Sequence, residues 1–238
     1  MTLREIARQA LTPRVLVLAR CLQRGLPMPR WGNLRRTTPF SASYGFDRGT
    51  PVDRYYLGAF LETCRDDIHG DVLEIQASGY TRRFGSRIGR ADSVDIDPRF
   101  NPTYTCDLAR SSGVIPSNAY DCFLMPNTLT MLGDLDGCLR EALRVVRPGG
   151  TILASAAVLG QTDAAGDYWR LTEPGWREVA ARAWPGCDVM TTAYGNCLAA
   201  TAAIQGLVYE ELTRAELDVR DARFPVLVGI RCRKPPPA

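Results

Sequence analysis

The residues able to do chemistry cluster in four short blocks. These are Gly70-Asp71-Val72-Leu73-Glu74-Ile75, Val94-Asp95-Ile96-Asp97-Pro98, Tyr120-Asp121-Cys122-Phe123-Leu124 and Arg147-Pro148-Gly149-Gly150-Thr151-Ile152-Leu153. Each joins an apolar run to an acidic residue or a glycine turn. A carboxylate at a strand end suits a pair of neighbouring hydroxyls, because it offers several acceptor lone pairs. Asp95 and Asp97 are two apart, so they share one strand face. This rhythm predicts a parallel sheet whose strand ends line a nucleotide-type pocket.

The elements that must position these residues follow from periodicity. Strands are expected at 71–75, 92–96, 103–107, 121–125 and 151–156, with two more at 187–193 and 225–232. Leu135, Cys138, Leu139, Ala142, Leu143 and Val146 recur at three and four residues, which predicts an amphipathic helix on the sheet. Arg147-Pro148-Gly149-Gly150 should stop it. Further helices are expected at 53–64, near 174–183 and within 197–212.

Bulk properties narrow the classes. A chain of 238 residues with 45% hydrophobic and 23% charged residues fits a globular α/β fold. A net charge of +3 gives no reason to expect nucleic acid. The eight cysteines form no Cys-x-x-Cys pair, and His69 is the one histidine, so no metal site is expected. Unpaired cysteines in apolar runs suit a reducing cytoplasm. The apolar run Val15–Ala19 is too short for a membrane span.

Residues 1–52 read as an amino-terminal extension ahead of a domain at 53–238. Residues 1–24 look helical in two pieces, with capping-box spacing at Thr2-Leu3-Arg4-Glu5 and a break at Pro13. Arginines 4, 8, 14, 20 and 24 make this segment basic. It is either a solvated helical face or a surface for an acidic partner or membrane headgroups. Residues 25–52 are rich in Pro, Gly, Arg and aromatics and read as an ordered lid.

The order of blocks over residues 50–233 resembles a class I S-adenosylmethionine-dependent methyltransferase, of the type found in bacterial glycan and natural-product tailoring. The resemblance includes the loop from Pro39-Phe40-Ser41 through Gly45-Phe46-Asp47-Arg48 to Tyr55-Tyr56. It implies a Rossmann-like sheet of seven mostly parallel strands, helices on both faces, an antiparallel last strand, and S-adenosylmethionine as cofactor.

The resemblance also assigns roles. Cofactor binding falls to Glu74 and the turn Gln76, Ala77, Ser78 and Gly79, to Asp95 or Asp97 on the ribose, to Asp107 near the adenine and to Asn127 after the fourth strand. Asp97 is the favoured ribose ligand because it sits at the strand end. The family turn carries three glycines, whereas only Gly79 remains here, so close approach requires that Ala77 and Ser78 keep negative φ. Asp107 has an equal reading as a helix N-cap, and Asp97-Pro98 as a turn. Acceptor contacts fall to Tyr44, Phe46, Arg48, Tyr56, Thr128, Trp169 and Arg170. His69 lies at the amino end of the first strand, away from the pocket. Asp167 and Tyr168 are therefore the candidate catalytic pair, with Asp47 and Tyr44 as lid alternatives.

The expected function is methyl transfer to a small-molecule acceptor, most simply a hydroxyl on a sugar or natural product, driven by alignment. The eroded glycine turn motivates an alternative, a repurposed fold running elimination, cyclisation or hydrolysis. A non-enzymatic docking domain is the third class, and polar residues at several strand ends argue against it.

Overall fold

The computed structural model describes residues 12–27, 29–163 and 166–237. The expected first helical piece, with its capping box at Thr2–Glu5, lies outside the described residues. The chain forms two compact units, residues 1–37 and 38–238. Residues 38–52 thus belong with the sheet domain rather than with a separate extension ending at 52.

In the first unit, helix α1 runs Pro13–Arg24, with proline in its first turn, where a missing N–H costs nothing. Gly25 ends it at φ 61°. A short 3-10 turn follows at Gly32–Leu34.

The second unit is built on seven strands: β1 Gly70–Ile75, β2 Ile88–Asp95, β3 Tyr104–Thr105, β4 Tyr120–Met125, β5 Val146–Ala157, β6 Asp188–Tyr194 and β7 Leu227–Arg233. Their order is β3-β2-β1-β4-β5-β7-β6. Strands β1 to β5 pair in parallel, and β7 runs antiparallel to both β5 and β6. The expected sheet is observed, with revised strand limits. β5 begins at Val146, directly after helix α4 (Leu135–Val145), and Arg147–Gly150 bulges out of its ladder with β4, since Tyr120 pairs Val146 and Cys122 pairs Thr151, with Gly149 at φ 82°. β3 spans two residues, since Asp107 turns the chain by capping the 3-10 turn Leu108–Arg110.

Helices cover both faces. β4 is apolar at consecutive positions, as a strand buried on both sides must be. Phe123 and Met125 join the core beneath α4 and α5 (Glu173–Ala183), with Trp176 and Trp184. Cys122 and Leu124 join the opposite core, with α2 (Val52–Thr63) and α6 (Cys197–Ile204). Gly229 of β7 lets α2 approach, since a Cβ there would lie 2.4 Å from the Phe60 ring. The helix expected through 212 stops at Ile204. Gly206 follows at φ 66°, where a Cβ would lie 2.4 Å from the Ser41 carbonyl oxygen. Two short helices complete the unit, α3 (Gly79–Phe84) and α7 (Arg214–Asp218).

Candidate active site

The sheet order reverses direction between β1 and β4, and a crevice opens there at the strands' carboxyl ends, where α/β folds bind ligands. The turn after β1 is held from beneath by Glu74. Its buried carboxylate accepts from the Tyr80 and Thr81 amides at 3.0 and 2.8 Å and from the Thr81 hydroxyl at 2.7 Å. Burial raises its pKa, while these three donors oppose the rise. Glu74 therefore shapes the turn, and both its oxygens are engaged there.

Gln76 occupies the left-handed region, at φ 70°. Its amide donates to the Val94 carbonyl at 2.9 Å, tying the turn to β2. Ser78 has φ −75°, and Ala77 is also on the negative side. Of these three positions, only Gln76 needs the freedom of a glycine. A Cβ on Gly79 would meet nothing within 4 Å, so the turn faces open space.

At the end of β2 the two aspartates diverge. Asp97 accepts from the Arg99 amide at 2.9 Å and binds the Arg99 guanidinium through both oxygens. That guanidinium holds its carboxyl below the usual range. Asp95 uses only Oδ1, which accepts from the Asp97 amide at 2.7 Å. Its Oδ2 has no partner among the described residues. Of the two candidate hydroxyl ligands, Asp97 is thus engaged by Arg99, and Asp95 keeps the open carboxylate oxygen. Between them, Ile96 is 70% exposed and offers an unclaimed apolar surface at the crevice. Its signal in the sequence was an apolar residue between two acids. Asp107 is likewise spent as a cap, accepting from the Ala109 amide at 3.0 Å.

A cavity of 220 Å³ lies over the ends of β4 and β5. Ser41, Tyr44 and Phe46 contribute to its lining from one side, and Asp53 and Arg54 from the start of α2. Asn127 follows β4, and Gln161, Asp163, Asp167 and Arg170 follow β5. The Arg54 and Asp53 charges also act on the Tyr80 hydroxyl, whose pKa burial raises. The segment 38–51 is fastened over the cavity. Phe40 donates to the Gln205 carbonyl at 2.7 Å, Tyr209 to the Thr50 carbonyl at 3.0 Å, and Pro51 bridges Val208. The Ser41 hydroxyl bonds Asp47 and accepts from the Gly45 amide at 2.9 Å.

Asn127 sits at φ 49°. Its amide N–H donates to the buried Ser155 hydroxyl at 2.8 Å, that hydroxyl donates to Asn127 Oδ1 at 3.1 Å, and Asn127 Nδ2 donates to Asp53. Tyr44 donates its hydroxyl to Asp163. Burial raises the Tyr44 pKa, and the Asp163 and Asp167 charges add to it. Asp167 is clamped by Arg170, whose Nε donates at 2.9 Å and which also donates to the Gln161 carbonyl.

Five expected contacts lie elsewhere. Tyr56 is core, 2% exposed, with its hydroxyl on the Leu217 carbonyl at 3.0 Å. Arg48 pairs with Glu211 on the surface. Thr128 turns its hydroxyl back to the Pro126 carbonyl. Tyr168 is 59% exposed and outside the cavity lining. Trp169 packs against the core, with its indole N–H on the Leu132 carbonyl at 2.7 Å. Tyr44, Phe46, Asn127, Asp167 and Arg170 do line the cavity, and Asp53, Arg54, Gln161 and Asp163 join them. Long-range docking brings this set together, which local spacing does not reveal.

Residues 58–154 match the family model described as a methyltransferase domain. No curated protein sequence matches the chain. Among solved structures, a possible exported protein from Bordetella parapertussis is 14% identical, with TM-score 0.50, over 80% of this chain and 71% of that one. An S-adenosylmethionine-dependent methyltransferase from Mesorhizobium loti is 14% identical, with TM-score 0.49, over 80% and 100%. One from Archaeoglobus fulgidus is 13% identical, with TM-score 0.49, over 76% and 90%. The matched segment runs from within α2 into β5, and over it the chain is similar to a methyltransferase domain, on a sheet of the Rossmann-like kind. S-adenosylmethionine is the cofactor that this family implies. The open β1 turn, the unpartnered Asp95 oxygen and exposed Ile96 fit the cofactor's amino acid, ribose and base respectively. No group of acids, cysteines or histidines among the described residues could hold a metal ion.

Proposed function

We propose that this protein methylates a hydroxyl of a small polar acceptor, a sugar or natural product, seated in the cavity beneath residues 38–51. The observation that carries this reading is the cavity at the carboxyl ends of β4 and β5, lined by Tyr44, Phe46, Asn127, Asp163 and Asp167. Tyr44 and Phe46 offer flat surfaces to an acceptor, while Gln161 and the carboxylates offer polar partners. The 38–51 segment limits water access.

S-adenosylmethionine supplies an electrophilic methyl group on its sulfonium, ready for in-line displacement. Asn127, fixed by Ser155 and Asp53, gives the cavity floor one orientation. The Tyr44 oxygen accepts the acceptor's hydroxyl proton while its own proton passes to Asp163. Asp167 positions Arg170 rather than acting as the base, because both its oxygens are held by that guanidinium.

Incubation with methyl-labelled cofactor and a panel of sugar and polyketide alcohols tests the reading. Label should enter one acceptor class, and Tyr44→Phe should lower kcat about 10²-fold or more with cofactor affinity unchanged. Acceptor conversion without label transfer would favour the repurposed, non-methylating alternative that the glycine-poor turn motivates.

A further inference from the structure

The amino-terminal unit is set apart by its charge. Residues 1–37 hold eight arginines and one acidic residue, a net charge of +7, so the remaining chain carries −4. Between Ile6 and Phe46 there is no acidic residue. Uniform sign over so long a segment, opposed by the rest of the molecule, points to a polyanionic partner surface.

Helix α1 adds the second observation. Val15, Leu18, Ala19 and Leu22 recur at i, i+3, i+4 and i+7 and so form one stripe, with Arg20 and Arg24 on the other side. The stripe is in solvent: Leu22 is 71% exposed, and Val15 and Leu18 are exposed as well. Gly25 reverses the chain, and the Leu26 amide returns to the Cys21 carbonyl at 2.9 Å, holding exposed Leu26 beside the last turn. Trp31 and Leu34 follow, both exposed. No helix among the described residues is long and apolar enough to cross a membrane.

We propose that α1 and the segment through Leu34 form a membrane-surface anchor for anionic lipid, with the apolar stripe at the acyl boundary and the arginines among the headgroups. An apolar stripe, a cationic face and an interfacial tryptophan are the chemistry of a helix that lies in the bilayer plane. A second copy of the chain is a poorer occupant, because it would bring two +7 units together. Anionic headgroups satisfy the charge and the acyl region satisfies the stripe.

Vesicle co-sedimentation of the full chain tests this, comparing phosphatidylcholine alone with an equal mixture of phosphatidylcholine and phosphatidylglycerol. The parent should sediment with the anionic vesicles at least tenfold more strongly at about 0.1 M salt, and less so as salt shortens the Debye length. Arg20→Gln with Arg24→Gln should weaken this about twenty-five-fold, near fivefold per charge. Leu18→Glu with Leu22→Glu should abolish it. Both variants should keep the parent's thermal unfolding and its binding of S-adenosylhomocysteine. Absence of sedimentation, or equal binding to neutral vesicles, would overturn the proposal. So would a concentration-dependent dimer that Leu22→Glu disrupts without any vesicle binding. Polyglutamate binding as tight as vesicle binding, and indifferent to the leucine substitutions, would assign the surface to an acidic protein instead.

Discussion

The Asn127 side chain donates to the Asp53 carboxylate across 74 residues of sequence, joining the end of β4 to the first turn of α2. Both residues line the cavity, so this bond braces one of its walls against another. It depends on a non-glycine residue at φ 49°, a conformation that asparagine tolerates better than alanine does. Asn127→Ala loses the hydrogen bonds and keeps the strain, whereas Asn127→Gly loses the bonds alone. Denaturant unfolding should rank the glycine variant about 1 kcal/mol above the alanine variant. Equal stability, or the reverse order, would show that the left-handed backbone is not needed at this position.

Gln76 presents the opposite balance. Its side chain is exposed, and its backbone is at φ 70°. Gln76→Gly should therefore stabilise the fold by about 1 kcal/mol, read as a higher midpoint in urea. Affinity for S-adenosylhomocysteine should hold or rise. A loss of affinity would mean that the Gln76 side-chain carboxamide itself contacts the cofactor.

Packing of α2 on the sheet is tested at Gly229. A methyl there would lie 2.4 Å from Phe60 and cannot be absorbed without a shift. Gly229→Ala should cost about 1–3 kcal/mol, and Phe60→Leu in the same chain should recover part of it. An additive loss in the double variant would place the strain elsewhere.

Much of this architecture was legible because apolar runs and punctuation act locally. The α4 periodicity, the buried run of β4 and the acid-ended β1 and β2 follow from side-chain spacing alone. The site was less legible, for a physical reason. Asp97 looked like the better ligand from its place at the strand end, but Arg99, two residues on, takes both its oxygens. Tyr56 lay on the apolar face of its helix and proved to be core. The cavity wall at Gln161 and Asp163 meets Tyr44 only because residues 38–51 dock on the chain near Gln205 and Tyr209. No short-range pattern encodes that contact.

The central claim is that the crevice at the ends of β1 and β2 binds the cofactor through Asp95. Calorimetric titration with S-adenosylhomocysteine, run on the parent, Asp95→Asn and Asp97→Asn, tests it most directly. The parent should bind at one site. Asp95→Asn should weaken binding by about 1–3 kcal/mol, since a hydroxyl loses its ionised acceptor. Asp97→Asn should stay close to the parent, because Arg99 already holds that carboxylate. No heat of binding in the parent, or a loss in Asp97→Asn with none in Asp95→Asn, would contradict the account.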